Sequence, residues 1–234
     1  MRLDRYLSHA TGLSRKQARE LIKSGVVCVN GAVTVDCGRA VDAEQQVSCS
    51  GSDIAAPAPR YFMVHKPAGY ICATKNEAHP SVLQLLAEPR SEQLQIAGRL
   101  DVDATGLVLI TDDGQWNHRI TSPRSRCPKT YHLSLAEPLS LDAVQQLERG
   151  VWLRHEQRRC LPATVHTEDA RHIQLTVVEG RYHQVKRMLA AVGNRVLTLH
   201  RQRIGTIPLD PMLQAGDYRP LQPTEIETII SAQS

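Results

Sequence analysis

Residues 50–59 read Ser-Gly-Ser-Asp-Ile-Ala-Ala-Pro-Ala-Pro. Small polar residues followed by alanine and proline can build no core, and alanine–proline chain is partly stiff and extended. The tract therefore divides the 234 residues into a front module, residues 1–48, a linker, residues 49–59, and a larger domain, residues 60–234. A small domain plus a medium one suits this length.

The front module shows helical spacing in Leu3, Leu7 and Ala10. A second helix opens at Ser14-Arg15-Lys16-Gln17, a capping box in which Ser and Gln sit three apart. Ala18, Leu21 and Ile22 face a core at helical spacing. Arg15, Arg19 and Lys23 recur every four residues and share one exposed face, with Lys16 beside them. Gly25 stands where a left-handed cap belongs. Val26–Val29 and Ala32–Val35 flank Asn30-Gly31, which predicts a hairpin on a type I′ turn.

The larger domain predicts strands at Tyr61–Val64, Leu107–Ile110, Thr130–Leu135, Ala163–His166, His172–Val178, Val196–Ile204 and Ile207–Leu209. Helices are expected over Pro80–Ala87, Gln115–Ile120, Leu141–Leu147, the Val185–Val192 face and Glu225–Ile230. Many strands with dispersed helices make the fold class α+β with a mixed or mainly antiparallel sheet.

Charge narrows the partner. The net charge is +4, but it is unevenly spread. Residues 1–25 hold six Lys or Arg and two acids, and residues 181–205 hold six and no acid. Two basic concentrations suggest a long polyanion touched in two places. Aromatic content of 4% argues against a sheet that stacks several bases in the manner of an RRM. The charged N-terminus lacks a signal-peptide core, and no apolar run approaches a membrane span. The expected location is cytoplasmic, with no membrane partner. Six scattered cysteines with no C-x-x-C pair support neither zinc nor a disulfide framework.

Candidate chemistry centres on Gly98-Arg99-Leu100-Asp101-Val102-Asp103-Ala104-Thr105-Gly106. Its acids stand at the start of a buried strand, a rigid mount for a reactive group. Asp101, Asp103 and Gly106 imitate a calcium loop, but position twelve is Asp112 where such a loop needs a bidentate Glu. Arg99 nearby favours the ionised form that a nucleophile or base requires. Gly180 to Arg187 opens a helix with Arg181, Lys186 and Arg187, whose cations and amides suit phosphate. Trp116 and Trp152 are expected in the core. His118 and His183 lack metal-ligand spacing and are expected to face solvent or form hydrogen bonds.

These pieces together resemble a known family. Two helices with a basic stripe and a Val-Asn-Gly hairpin resemble the S4 RNA-binding fold. Gly98-Arg99-Leu100-Asp101 with Thr105-Gly106-Leu107 and Thr111-x-Asp113-Gly114 resembles the signature of bacterial RNA pseudouridine synthases. Lys66-Pro67-x-Gly69, Lys129-Thr130-Tyr131 and Glu179 to Met188 resemble its other motifs, in family order. Asp113 to Arg124 resembles the RsuA-type branch that modifies 16S rRNA.

The resemblance implies a small S4-like RNA-binding domain joined to a pseudouridine synthase catalytic domain with a central cleft. It implies base flipping and isomerisation of one uridine, at position 516 of 16S rRNA, with no cofactor and no metal. Asp101 would be catalytic. Tyr131 would stack on the flipped uracil, Val185 would lie under it, Lys186 would pair with Asp101, and Arg99 would occupy the vacated space. RNA contacts would come from Arg15, Lys16, Arg19, Lys23, Lys66, Arg181 and Arg187. The expected partner is 16S rRNA or a partly assembled small ribosomal subunit, met by a monomer. Lys186 stands where many members carry arginine, giving a point charge rather than a fork. His65 stands where asparagine is common. The competing readings are a 23S rRNA-directed relative and a non-catalytic S4-type rRNA-binding factor.

Overall fold

The computed structural model describes residues 1–42, 44–73 and 78–231. The chain separates into two units, Met1–Pro59 and Arg60–Ser234.

In the first unit, α1 (Leu3–Thr11) and α2 (Arg15–Lys23) pack on a four-stranded sheet of order β2-β1-β3-β4. Its strands are β1 (Val27–Val29), β2 (Ala32–Val33), β3 (Val47–Cys49) and β4 (Ser52–Ile54). The Ser14–Gln17 capping box forms as its sequence requires. Asn30 and Gly31 both take positive φ, as a type I′ turn demands. Leu3, Leu7, Ala18, Ile22, Val27, Val29 and Val47 make one apolar core. The linker is shorter than its composition suggests. Ser52–Ile54 pairs with β3, Ile54 packs on the core, and its carbonyl accepts the Tyr6 hydroxyl at 2.8 Å. The strand was hidden because its only apolar residue lies among Gly, Ser and Asp.

The second unit is built on a mixed sheet of order β13-β5-β7-β11-β8-β10-β9, with β6 beside β7 and β12 beside β11. Its strands are β5 (Tyr61–Lys66), β6 (Gln95–Ala97), β7 (Thr105–Thr111), β8 (Lys129–Leu135), β9 (Thr164–Thr167), β10 (His172–Val177), β11 (Val196–Ile204), β12 (Ile207–Pro208) and β13 (Tyr218–Pro220). Helices α3 (Gly114–Thr121), α4 (Leu141–Arg149), α5 (Gln184–Ala191) and α6 (Pro223–Ser231) pack around it. All pairings are antiparallel except β7 with β11.

β7 is covered on both faces. Leu107 and Leu109 join Trp116, Ile120 and Ile229 on one side. Val108 and Ile110 join Leu133, Leu175 and Met188 on the other. Burial on both faces explains a continuous apolar run where a half-exposed strand would alternate. β8 does alternate: Tyr131, Leu133 and Leu135 are buried, while Thr130, His132 and Ser134 are half-buried.

The expected helix over Pro80–Ala87 is instead a 3-10 turn, Val82–Leu85, begun by the Ser81 hydroxyl. Val82, Leu83 and Leu86 are still buried, but four residues suffice to bury them, and 3-10 geometry suits so short a piece. Trp152 is a second correction. It is 54% exposed, with the Arg159 guanidinium 5.9 Å from its ring centroid.

The sheet has a fork where the acidic loop emerges. β11 pairs with β7 only at Thr105 and Gly106. Further along, β6 pairs with β7 from Leu109 to Thr111. Residues 98–104 therefore form the loop of a β6–β7 hairpin whose mouth is held beside β11.

Candidate active site

The loop is clamped by two buried cations. Arg201, on β11, is fully buried. Its guanidinium donates to the carbonyls of Gly98 (2.7 Å), Arg99 (3.1 Å) and Leu107 (2.8 Å). It ties together both flanks of the Asp101 loop. Gly106 permits this: a Cβ there would meet the Arg201 carbonyl oxygen at 2.3 Å, and its φ is +106°. Glycine alone fits such backbone contact. Thr105 and Gly106 thus anchor the loop to β11.

Lys66 grips the loop at the end of β5. It is also fully buried. Its ammonium donates to the carbonyls of Pro67 (2.9 Å), Val102 (3.3 Å) and Ala104 (2.6 Å). Three donors meet three acceptors, which offsets the cost of removing the charge from water. Burial still pushes the Lys66 ammonium below its ordinary range. The Leu100 amide donates to Cys72 Sγ at 3.3 Å, and burial pushes that thiol up.

Asp101 projects from this clamped loop. Lys186, on the first turn of α5, lies 3.2 Å from its carboxylate. The same ammonium donates to both oxygens of Asp103, at 2.6 and 2.8 Å. Burial alone would lower the Lys186 ammonium, but its hydrogen bonds to Asp103 and Asp101 outweigh that and raise it. The hydrogen bond from Lys186 holds the Asp103 carboxyl below its usual range. Asp103 therefore does more than shape the turn: it competes for the cation that faces Asp101. His183 Nε2 lies 3.5 Å from Asp101. The cation in contact with Asp101 is Lys186 and not Arg99.

These groups line a cavity of about 620 Å³. Asp101, Tyr131, Val185 and Lys186 share its wall with Arg99 and Arg201. Tyr131 is buried on β8, with the Arg201 guanidinium 6.0 Å from its ring centroid. Val185 is buried on α5. Arg99 is exposed, and its guanidinium has no protein acceptor among the described residues. A carboxylate, a cation, an aromatic ring and an aliphatic floor around one cavity suit a planar, uncharged ring with a reactive bond beside it.

One expected RNA contact, Lys66, is corrected, and two others, Arg181 and Arg187, are tied to protein partners. Lys66 is too deeply buried to reach a phosphate. Arg181 donates to the carbonyls of Arg158 (2.7 Å) and Arg159 (2.6 Å) and pairs with Glu179 and Glu156. Arg187 donates to Arg154 and Tyr182 carbonyls and pairs with Glu156. Both arginines brace the 154–159 segment, which engages three donors of each.

Residues 60–191 match the sequence profile described as RNA pseudouridylate synthase, and residues 1–47 match that of the S4 domain. This chain belongs to the RNA pseudouridylate synthase family. It is an RNA pseudouridine synthase with an S4 domain at its N-terminus. It is 49% identical to ribosomal small subunit pseudouridine synthase A of Vibrio parahaemolyticus over 231 residues, 98% of this chain and 99% of the relative. It is 47% identical to the protein of that name from Escherichia coli K12, covering 98% and 100%. A solved crystal structure of a pseudouridylate synthase aligns with TM-score 0.72 and 41% identity, over 98% of this chain and 99% of that one.

In the S4 unit, Arg15 and Arg19 both pair at 2.8 Å with Asp4, a fully buried carboxylate that Arg2 also approaches. Burial alone would raise the Asp4 carboxyl; hydrogen bonds from Arg2, Arg19 and Arg15 outweigh it and hold the group well below the usual carboxylate range. Both arginines remain half exposed. Lys16 and Lys23 are exposed and have no acceptor among the described residues.

Arg201 escaped the sequence reading, which counted it only as surface charge. Its signal was strand parity: it shares a face with buried Leu199, so it points inward. A charge on an apolar strand face is rare unless partnered.

Proposed function

We propose that this enzyme isomerises one uridine of small-subunit (16S) rRNA, at position 516, with Asp101 as the catalytic carboxylate. The observation that carries the reading is Asp101 in the cavity wall, 3.2 Å from Lys186, on a loop clamped from both sides, with Tyr131 and Val185 lining the same space. The substrate preference is supported by the full-length similarity to two small-subunit synthases.

The target base leaves its helix and enters the cavity. Tyr131 lies along one side of the uracil and Val185 supports the other. The C1′–N1 bond breaks, the ring turns, and C1′ joins C5. The proton on C5 departs, and N1 gains one, so atoms balance without a redox partner. Asp101 acts at the reacting sugar–base unit, and Lys186 keeps its carboxylate aimed. Tyr131 assists loss of the C5 proton. Arg99, exposed and without an acceptor among the described residues, fills the gap that the base leaves. Lys16 and Lys23, with the outer parts of Arg15 and Arg19, meet rRNA phosphates. The substrate is 16S rRNA free or within a partly assembled small subunit, bound by a monomer.

Asp101→Asn is expected to abolish tritium release from C5-labelled uridine while leaving RNA affinity intact. Undiminished release would overturn the assignment. Mapping pseudouridine in 16S and 23S rRNA incubated with the enzyme tests the substrate; modification confined to 23S rRNA would replace it.

A further inference from the structure

Tyr182 is the large exposed aromatic among the described residues that lines the cavity, and nothing in the reading above uses it. Its side of the cavity also carries the contact between His183 and Asp101. The Tyr182 and His183 rings stack at 3.8 Å between centroids and 21° between planes. Tyr182 nevertheless remains 74% exposed. One face of the phenol is covered by imidazole, and the rest is open.

The stack is held rather than floppy. His183 has φ +47° and ψ +35°, left-handed backbone at the residue that starts α5. For a residue with a Cβ this conformation is uncommon and marks a local constraint. The neighbours impose it. The Arg181 guanidinium is pinned to the 158–159 carbonyls, the Arg181 amide donates to Gln184 Oε1 at 2.8 Å, and the Tyr182 carbonyl accepts from Arg187. Backbone on both sides of Tyr182 is fixed, so the ring is presented at low entropic cost.

We infer that Tyr182, backed by His183, is a stacking subsite for the nucleobase next to the flipped uridine. The inference rests on the uridine-isomerising reading of this cavity. His183 touches Asp101, and Tyr182 lies one ring stack further out, where a base adjoining an extruded nucleotide loses its neighbour. An open aromatic face replaces that lost partner. Every base has a π face, so the subsite contributes affinity without reading sequence.

The test uses full-length enzyme and an RNA fragment that contains the target uridine. Tyr182→Ala is expected to raise KM about tenfold, within the range for loss of one aromatic–base stack. Tritium release at saturating RNA should stay within about twofold of wild type. Tyr182→Phe should restore KM, and Tyr182→Leu, similar in bulk but without a π face, should not. Removing the base adjoining the target should weaken wild-type enzyme by a similar factor, with no further loss in Tyr182→Ala. Unchanged KM in Tyr182→Ala, rescue by leucine, or full additivity with the abasic RNA would each overturn the subsite. Wild-type enzyme that releases no tritium from this RNA would instead overturn the underlying reading. Because the side chain is exposed, unchanged thermal unfolding of Tyr182→Ala is expected and separates binding from folding.

Discussion

Two stretches of this chain each carry six Lys or Arg within 25 positions, residues 1–25 and 181–205, and the fold uses them differently. In the first, Lys16 and Lys23 stand exposed on α2 without acceptors among the described residues, while Arg15 and Arg19 divide themselves between solvent and Asp4. In the second, Lys186 serves two carboxylates, Arg181 and Arg187 brace a neighbouring segment, and Arg201 is buried. Only Arg195 and Arg203 remain exposed without such ties. The second stretch has no acid of its own, but its acids come from elsewhere: Asp101, Asp103, Glu156 and Glu179. Local charge counting therefore treats alike an exposed basic helix face and a charge network tied to acids and carbonyls.

The largest expected effect separates the two stretches by stability. Arg201→Met removes the donor to the loop carbonyls of Gly98 and Arg99 and to the β7 carbonyl of Leu107, and should cost about 3–5 kcal/mol in urea unfolding of the catalytic domain. Tritium release should fall with it, because the loop loses its clamp. A loss below about 1 kcal/mol would mean that the network is surface charge after all.

A smaller effect is expected in the first stretch. Arg15→Glu with Arg19→Glu sets two new acids against buried Asp4 and should cost about 2 kcal/mol, moderated by the half-exposed positions. Hydrogen exchange of α1 and α2 amides measures it. The pH dependence follows from the same contact. The Asp4 carboxyl is depressed in the fold, so its stabilisation is present above the ordinary carboxylate pKa and is lost as pH falls towards the folded value. Lys66 and Lys129 share that direction but in an alkaline window, and as a penalty rather than a gain. Burial lowers both ammonium groups, so the unfolded chain binds more protons in the alkaline window, and their penalty shrinks as pH rises towards 10.5. Acid should thus loosen the contact of α1 and α2 at Asp4, and amide exchange there that is unchanged at low pH would contradict this.

The smallest effect on stability is expected where RNA binding is most affected. Lys16→Glu with Lys23→Glu should change stability by no more than about 0.5 kcal/mol. The slope of log affinity against log salt should fall by about 1.5 for two lost phosphate contacts. These two lysines give a cleaner test of the stripe than Arg15 and Arg19, whose reversal also strikes Asp4. An unchanged slope would remove α2 from the rRNA interface.

Much of the fold was legible because its signals are local. The Ser14–Gln17 box, the Asn30-Gly31 turn, the alternation of β8 and the apolar run of β7 each depend on a few neighbouring residues. The strands that were missed, β3, β4, β6 and β13, are three residues long and are strands only because a partner lies beside them. For Asp101, Tyr131, Val185 and Lys186, motif resemblance suggested convergence, and all four line one cavity. Charge by itself is less informative, since burial decides whether a cation such as Lys66 faces solvent or carbonyls.

The sequence by itself determined the two-part organisation, the α+β class, the capped basic helix and the placement of an acidic loop before a buried strand. Periodicity, turn chemistry and composition suffice for these, because each is settled by interactions within a few residues. Only the tertiary structure decided that Lys186 would hold Asp103 across 83 positions, that Lys66 and Arg201 would clamp the loop, and that Tyr182 would stand open beside it. Those outcomes depend on which strands become neighbours. Once β11 lies parallel to the start of β7, the carbonyls of Gly98, Arg99 and Leu107 come within reach of the buried Arg201 charge.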